Sequence, residues 1–214
     1  MPAGRSVDTK RLVAEGYDRI AGGLRSRRRA TPPSGRKQTY LERLTMGMGQ
    51  DARVLDLGCG PGEQAAWLSA RFDVVGVDIS PGQLALAQAE APNATLLLAD
   101  MCSLAFKPSS FDAIAAIYSI IHVPREEHAQ LFATLYDTLR PRGRLFAVLG
   151  ANTWEGTEED WLDLGATMFW SHFDATTGRA LLEQAGFQIG DAKVEPDELE
   201  GSGAHLFVIA ERPQ

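Results

Sequence analysis

From residue 51 onward, short apolar runs alternate with segments whose apolar positions recur every three or four residues. The runs RVLDL (53–57), DVVGVDI (73–79), ATLLLAD (94–100), FDAIAAIYS (111–119) and RLFAVLG (144–150) are continuous rather than alternating. Strands read this way when helices cover both faces of a parallel sheet. The segments between them have helical spacing. PGEQAAWLSARF (61–72) is one such helix. PREEHAQLFATLYDTL (124–139) is another, with acids in its first turn and Leu131, Phe132, Leu135 and Leu139 on one face. His128 falls on its outer surface. Ser80-Pro81-Gly82-Gln83 starts a further helix: Ser80 caps it, Pro81 suits the first turn, and Gln83 stands at the capping-box position.

This alternation predicts a doubly wound α/β fold. Residues 151–173 interrupt it with an acidic, aromatic-rich stretch of weak periodicity, read as an insertion between the fifth strand and the next helix. Its Trp154, Trp161, Phe169 and Trp170 suggest apolar pocket walls, with buried core as the competing reading. Asp174 caps the following helix and Gly186 ends it. FQIGDAKVE (187–195) and AHLFVIAER (204–212) pair as an antiparallel edge.

The 214 residues are 44% apolar and 23% charged, enough for one substantial core. No apolar run is long enough to span a bilayer, and the N-terminus shows no apolar signal core, so no membrane contact is expected. Cys59 and Cys102 are too few for a disulfide framework or a zinc site, and no metal-ligand cluster is evident. A reducing cytoplasm is the expected location. The net charge of −7 argues against a general nucleic-acid binder. The charge is uneven: residues 1–50 carry 11 Lys+Arg against 4 Asp+Glu, and residues 151–214 carry 3 against 13. The basic cluster, RSRRR (25–29) with GRK (35–37), reads as a solvated, partly mobile arm. The sharper alternative is an arm that meets an anionic substrate or the acidic C-terminal part.

The chemistry gathers at strand ends, where an open α/β sheet binds its ligands. VLDLGCGPG (54–62) offers Asp56 and a glycine loop, the second strand offers Asp78, and the third offers Asp100. Aspartate is a poor strand residue and costly when buried unpaired, so packing alone does not explain the three. Gly58 and Gly60 permit positive φ or close approach of a ligand. Asp78 stands 20 residues after Gly58, the spacing at which an acid meets ribose hydroxyls. A dinucleotide fingerprint would place glycine at 63, where the chain has Glu63. The implied ligand carries an adenosine-like ribose, lacks phosphate and tolerates or carries positive charge. S-adenosylmethionine meets these conditions.

The motifs VLDLGCGPG, VVGVDIS, LLLADMCSLAF, FDAIAAIYSIIHVP and LRPRGRLF, in this order and spacing, resemble the class I S-adenosylmethionine-dependent methyltransferases, particularly the small-molecule group of the type 11/25 kind. The resemblance covers about residues 40–150. It implies a Rossmann-like, mostly parallel seven-stranded sheet with an antiparallel C-terminal hairpin and a helical N-terminal cap. It divides the chain into a cap or arm at 1–50 and a cofactor-binding domain at 51–214, with 151–173 as a substrate-pocket insertion.

The resemblance also assigns roles. Asp56, Gly58 and Gly60 hold the methionine moiety, Asp78 the ribose hydroxyls, and Ile79 lies against the adenine. Asp100 accepts from the adenine amino group, and the Met101 N–H meets a ring nitrogen. Ile117 and Tyr118 border the methionine end, while Tyr17, in YDRIA (17–21), covers the cofactor. His122 and His172 are the catalytic candidates: His122 as a base or a loop-stabilising residue, His172 as a substrate-orienting or a packing residue. The expected reaction is in-line methyl transfer to O, N or C of a small, hydrophobic acceptor, by a monomer or homodimer. A cyclase, an isomerase or a non-catalytic binder of the same cofactor remains the alternative, as does an RNA methyltransferase. IYSIIHVP carries neither motif common to nucleic-acid methyltransferases.

Overall fold

The computed structural model describes residues 3–30, 35–197 and 203–214. Helices α1 (Ala3–Ala30) and α2 (Arg36–Thr45) precede β1 (Arg53–Leu57) and α3 (Glu63–Ser69). Then follow β2 (Asp73–Asp78), α4 (Pro81–Glu90), β3 (Thr95–Leu98), β4 (Phe111–Ala116), α5 (His128–Thr138) and β5 (Leu139–Gly150). The chain closes with β6 (Trp154–Glu158), β7 (Met168–His172), α6 (Ala175–Gln184), β8 (Gln188–Pro196) and β9 (Ala204–Glu211).

Seven strands form one sheet in the order β3-β2-β1-β4-β5-β9-β8. The first five in that order are parallel, while β9 runs antiparallel to both β5 and β8. Strand order reverses between β1 and β4, which opens a crevice at their carboxyl ends. The expected α/β architecture and antiparallel C-terminal pair are therefore present. On one face, Leu55 and Leu57 of β1 pack in a cluster with Leu131, Phe132 and Leu135 of α5 and Leu182 of α6. On the other face, Val54 joins Tyr40, Leu41 and Leu44 of α2 and Leu68 of α3. Alternate side chains of one buried strand thus feed two cores.

Several expectations are corrected. The stretch 25–30 is the last turns of α1 and not a mobile arm, with Arg25 and Arg29 paired to Glu90 of α4 at 2.5 and 2.9 Å. Residues 31–34 of the same link lie outside the described residues. The alternative that basic residues meet the acidic C-terminal part holds for α2: Arg43 pairs with Asp191 at 2.6 Å and Arg36 with Glu195 at 3.6 Å. Residues 151–173 contain a second, two-stranded sheet, β6 paired antiparallel with β7. Ser80 does cap α4, accepting from the Gln83 N–H at 3.0 Å. The capping box fails, because the Ser80 N–H is taken by Asp78 Oδ1. His128 is buried at the start of α5, its Nε2 donating to the Val123 carbonyl at 3.0 Å.

Candidate active site

The loop after β1 turns at Gly58, where φ is 77°. A Cβ there would stand 2.2 Å from Cβ of Ser119, so only glycine fits. The N–H groups of Gly58 and Cys59 both reach the Val77 carbonyl, at 2.8 and 2.9 Å, which ties the loop to the end of β2. The Gly60 N–H donates to Asp78 Oδ2 at 2.8 Å, and the Ser80 N–H to Oδ1 at 2.9 Å. Asp78 is therefore oriented by the glycine loop on one side and the start of α4 on the other. The Ile79 N–H also serves this carboxylate, and its oxygens together retain acceptor capacity beyond the three N–H groups. Burial raises the Asp78 carboxyl, opposed by those N–H groups and by the charge of Arg28.

A cavity lies over the carboxyl ends of β1 to β4. Its floor is built from Gly58 and Gly60, Asp78 and Ile79, Asp100 and Met101, and Ile117, Tyr118, Ser119 and His122. Tyr118 holds φ at 55°, an unusual backbone for an aromatic residue, at the end of β4. Its ring packs edge-on against His205 at 4.9 Å.

Helix α1 forms the roof, contributing Lys10, Val13, Tyr17, Leu24 and Arg28. Their spacing follows one face of a helix. Polar contacts fasten the roof to the floor. Lys10 Nζ is 2.8 Å from Asp100 Oδ2 and 2.5 Å from Glu127 Oε2. Asp18 Oδ1 accepts from Ser80 Oγ at 2.5 Å and from the Gly82 N–H at 2.7 Å, at the N-terminus of α4. On its other side α1 meets β7 and the turn before it. A Cβ on Gly16 would be 2.6 Å from Met168 Sδ, and one on Gly23 would be 2.9 Å from a methyl of Leu164.

His122 sits between roof and floor. Its Nδ1 donates to the Phe169 carbonyl at 2.7 Å, and its Nε2 is 2.8 Å from the Tyr17 hydroxyl. Burial lowers its pKa to about 4, so the ring is neutral at pH 7.

Asp56 lies at the end of β1, buried and absent from the lining. The Ala65 N–H serves its carboxylate, yet Oδ2 has no hydrogen-bond partner among the described residues. Burial, and then the charge of Asp78, raise its pKa to about 7. Buried, acid-rich and partly unsatisfied, this corner is suited to a cationic ligand group.

Of the residues singled out from sequence, Tyr17, Gly58, Gly60, Asp78, Ile79, Asp100, Met101, Ile117, Tyr118 and His122 converge on the cavity. His172 does not: its Nδ1 donates to the Asn152 carbonyl at 2.6 Å, and its ring fills the space beside Gly150. Nor do the aromatic residues of 151–173 line it. Trp161, Phe169 and Trp170 are buried against α1 with Val13 and Ile20, and Trp154 is 40% exposed. Cys59 is also inert, since burial pushes its thiol up. Sequence reasoning missed Lys10, Val13, Leu24, Arg28, Gln64 and Gln83. The helical spacing from 10 to 28 was the available signal for the first four. Among the described residues, no group of three metal-ligating side chains is present and no helix is long and apolar enough to cross a membrane.

A family model described as a methyltransferase domain matches residues 54–143. The chain is 38% identical over 117 residues to Methyltransferase GfsG of Streptomyces halstedii, an overlap of 51% of this chain and 40% of the relative. It is 38% identical over 109 residues to a trans-aconitate 2-methyltransferase of Variovorax paradoxus, covering 50% of this chain and 41% of that protein. The chain thus spans less than half the length of these relatives. A solved S-adenosylmethionine-dependent methyltransferase from Mesorhizobium loti superposes with a TM-score of 0.65 at 26% identity, covering 81% of this chain and 96% of that one.

Proposed function

We propose that this chain, similar to methyltransferases in its family match and its relatives, is a class I S-adenosylmethionine-dependent methyltransferase and transfers a methyl group to a small-molecule acceptor in the cavity under α1. The observation that carries this reading is Asp78, held at the cavity by the glycine loop, together with the buried, half-satisfied carboxylate of Asp56 at the end of β1. A ribose diol and a cationic amino-acid moiety match those two groups. Bound there, S-adenosylmethionine supplies an electrophilic methyl group on a sulfonium centre.

The residues divide the work. Asp78 accepts from the ribose hydroxyls, Ile79 packs on the adenine, Asp100 accepts from the adenine amino group, and the Met101 N–H meets a ring nitrogen. Gly58 and Gly60 hold the methionine moiety, bordered by Ile117 and Tyr118, and the buried charge of Asp56 acts on it from beneath the loop. Tyr17 closes the roof. Alignment of acceptor and methyl in line accounts for most of the required acceleration, since well-oriented groups reach effective molarities of ~10⁵–10⁸ M. His122, a weak base with its pKa lowered to about 4 and both ring nitrogens hydrogen-bonded, stabilises the loop after β4 against Tyr17 and Phe169, and a proton reaches its Nε2 only through the Tyr17 hydroxyl. His172 has a packing role. The apolar wall of Val13, Leu24, Ile117 and Val123 favours an acceptor with a hydrophobic body. Arg28 and Lys37 at the same cavity favour a second reading, an acceptor that also bears an anionic group.

The test incubates the full chain with S-adenosylmethionine carrying a labelled methyl group and a metabolite extract. Labelled small-molecule product together with S-adenosylhomocysteine supports the reading. Cofactor-dependent product without S-adenosylhomocysteine would replace methyl transfer by a cyclase or isomerase activity. Label in RNA alone would overturn the small-molecule assignment.

A further inference from the structure

Lys10 bridges two carboxylates that come from different parts of the fold. Asp100 follows β3 on the cavity floor, 90 residues away in sequence, and Glu127 stands just before α5, 117 residues away. The Lys10 side chain is only 16% exposed, and Asp100 and Glu127 are 24% and 26% exposed. Burial pulls the amine pKa down, but the hydrogen bonds to the two carboxylates outweigh it and raise it, so the ammonium is held firmly in its charged form. Asp100 is fixed from its other side as well, because Oδ1 accepts from the Cys102 N–H at 2.9 Å. One carboxylate oxygen is thus set by the local chain and the other by the roof helix. Lys10 and Asp100 both line the cavity, whereas Glu127 does not.

We propose that Lys10 is a positioning residue for purine recognition: it orients Asp100 and in the same contact fastens α1 over the cavity, so that roof closure and reading of the purine amino group are one event. The proposal rests on the cofactor reading above. Two consequences separate it from a simple tether. Loss of the Lys10 cation leaves Asp100 mis-set, which weakens ligands bearing a 6-amino purine more than ligands bearing a 6-oxo purine. Arginine at the same position restores both functions, because it keeps the charge and the reach.

The experiment measures equilibrium binding of S-adenosylhomocysteine and of its 6-oxo analogue, S-inosylhomocysteine, to the full chain. The variants are Lys10→Met, Lys10→Arg and Glu127→Gln, each checked for native thermal unfolding. For Lys10→Met, affinity for S-adenosylhomocysteine falls ~10- to 100-fold, the loss expected when one charge-assisted hydrogen bond goes. The preference for the amino over the oxo purine narrows by ~5-fold or more, and Lys10→Arg recovers most of both. Glu127→Gln, which leaves Lys10 and the cavity lining in place, gives a smaller loss in the same direction. Equal weakening of the two ligands in Lys10→Met and Glu127→Gln would reduce Lys10 to a tether and overturn the proposal. So would unchanged affinity in either variant. If Lys10→Met does not fold, Glu127→Gln decides alone. Failure of the parent chain to bind either nucleoside would instead sink the cofactor reading itself.

Discussion

The hydroxyl of Tyr17 donates to Nε2 of His122 across 2.8 Å. The direction follows from the far side of the ring. There Nδ1 faces the Phe169 carbonyl at 2.7 Å, which can only accept, so Nδ1 carries the proton and Nε2 the lone pair. A residue on the first helix thereby completes the hydrogen bonding of a buried ring on the loop after β4.

Replacing Tyr17 by phenylalanine leaves that buried lone pair without a donor. The expected cost is about 1–3 kcal/mol of unfolding free energy. Urea denaturation measures it, and an unchanged midpoint would show that the contact carries no stability. S-adenosylhomocysteine should also give a smaller thermal shift in Tyr17→Phe than in the parent, because the roof is less firmly seated.

The buried imidazole predicts acid sensitivity. His122 titrates at about 4 in the folded chain against 6.5 as a free side chain, so the unfolded chain binds the extra proton between those values. Its contribution is harmless above that window and destabilising as pH falls through it. Burial lowers His128 and His172 too, with the same sign. His122→Gln should therefore lose less stability than the parent on acidification, a difference on the order of 3 kcal/mol near pH 4. Parallel pH–stability curves for the two proteins would refute it.

Asp56 has the opposite sign. Its folded pKa is raised from 3.8 to about 7, so the protonated form is the one the fold favours, and that stability is lost as pH rises towards and past 7. Asp56→Asn should be more stable than the parent at pH 8 and show little advantage at pH 4. On the proposed cofactor reading, the same variant should bind S-adenosylhomocysteine more weakly, because it removes the negative charge buried beneath the glycine loop. Thermal melts at the two pH values, with and without ligand, separate the effects.

Gly58→Ala meets two obstacles: φ of 77°, and Cβ of Ser119 at 2.2 Å. Together they should cost about 2–5 kcal/mol. Adding Ser119→Gly should relieve the clash but not the backbone strain, so the double variant regains only part of the loss. Full recovery, read by denaturant midpoint, would show that sterics alone matter there.

Strand ends were legible because their signals are local. Asp78 is recognisable from the apolar run before it and its distance from Gly58, and Ser80 from the proline that follows it. Lys10 was not, since its partners lie 90 and 117 residues away and only the folded sheet brings them together. The pair β6 and β7 was hidden by composition: Gly156 and Glu158 blur the alternation that a strand needs. His128 was misplaced because residues 125–127 form a separate short turn before α5 begins at His128, where the ring points back to the Val123 carbonyl. Sequence leaves the tryptophans open between pocket wall and core, because bulky aromatics suit both equally, and only the seating of α1 against Trp161 and Trp170 decides for core.

The two glycines on the outer side of α1 set the grain at which this protein can be recombined. Gly16 makes room for Met168 and Gly23 for Leu164. The stretch carrying β6 and β7 is thus shape-matched to a helix more than a hundred positions earlier in the chain. A chimera that imports that stretch from a relative while keeping the native first helix would force larger side chains into fitted gaps, or leave holes beneath smaller ones. Inheritance of a well-packed roof, in a laboratory library or in a lineage, is consequently expected to move both segments together as one cassette.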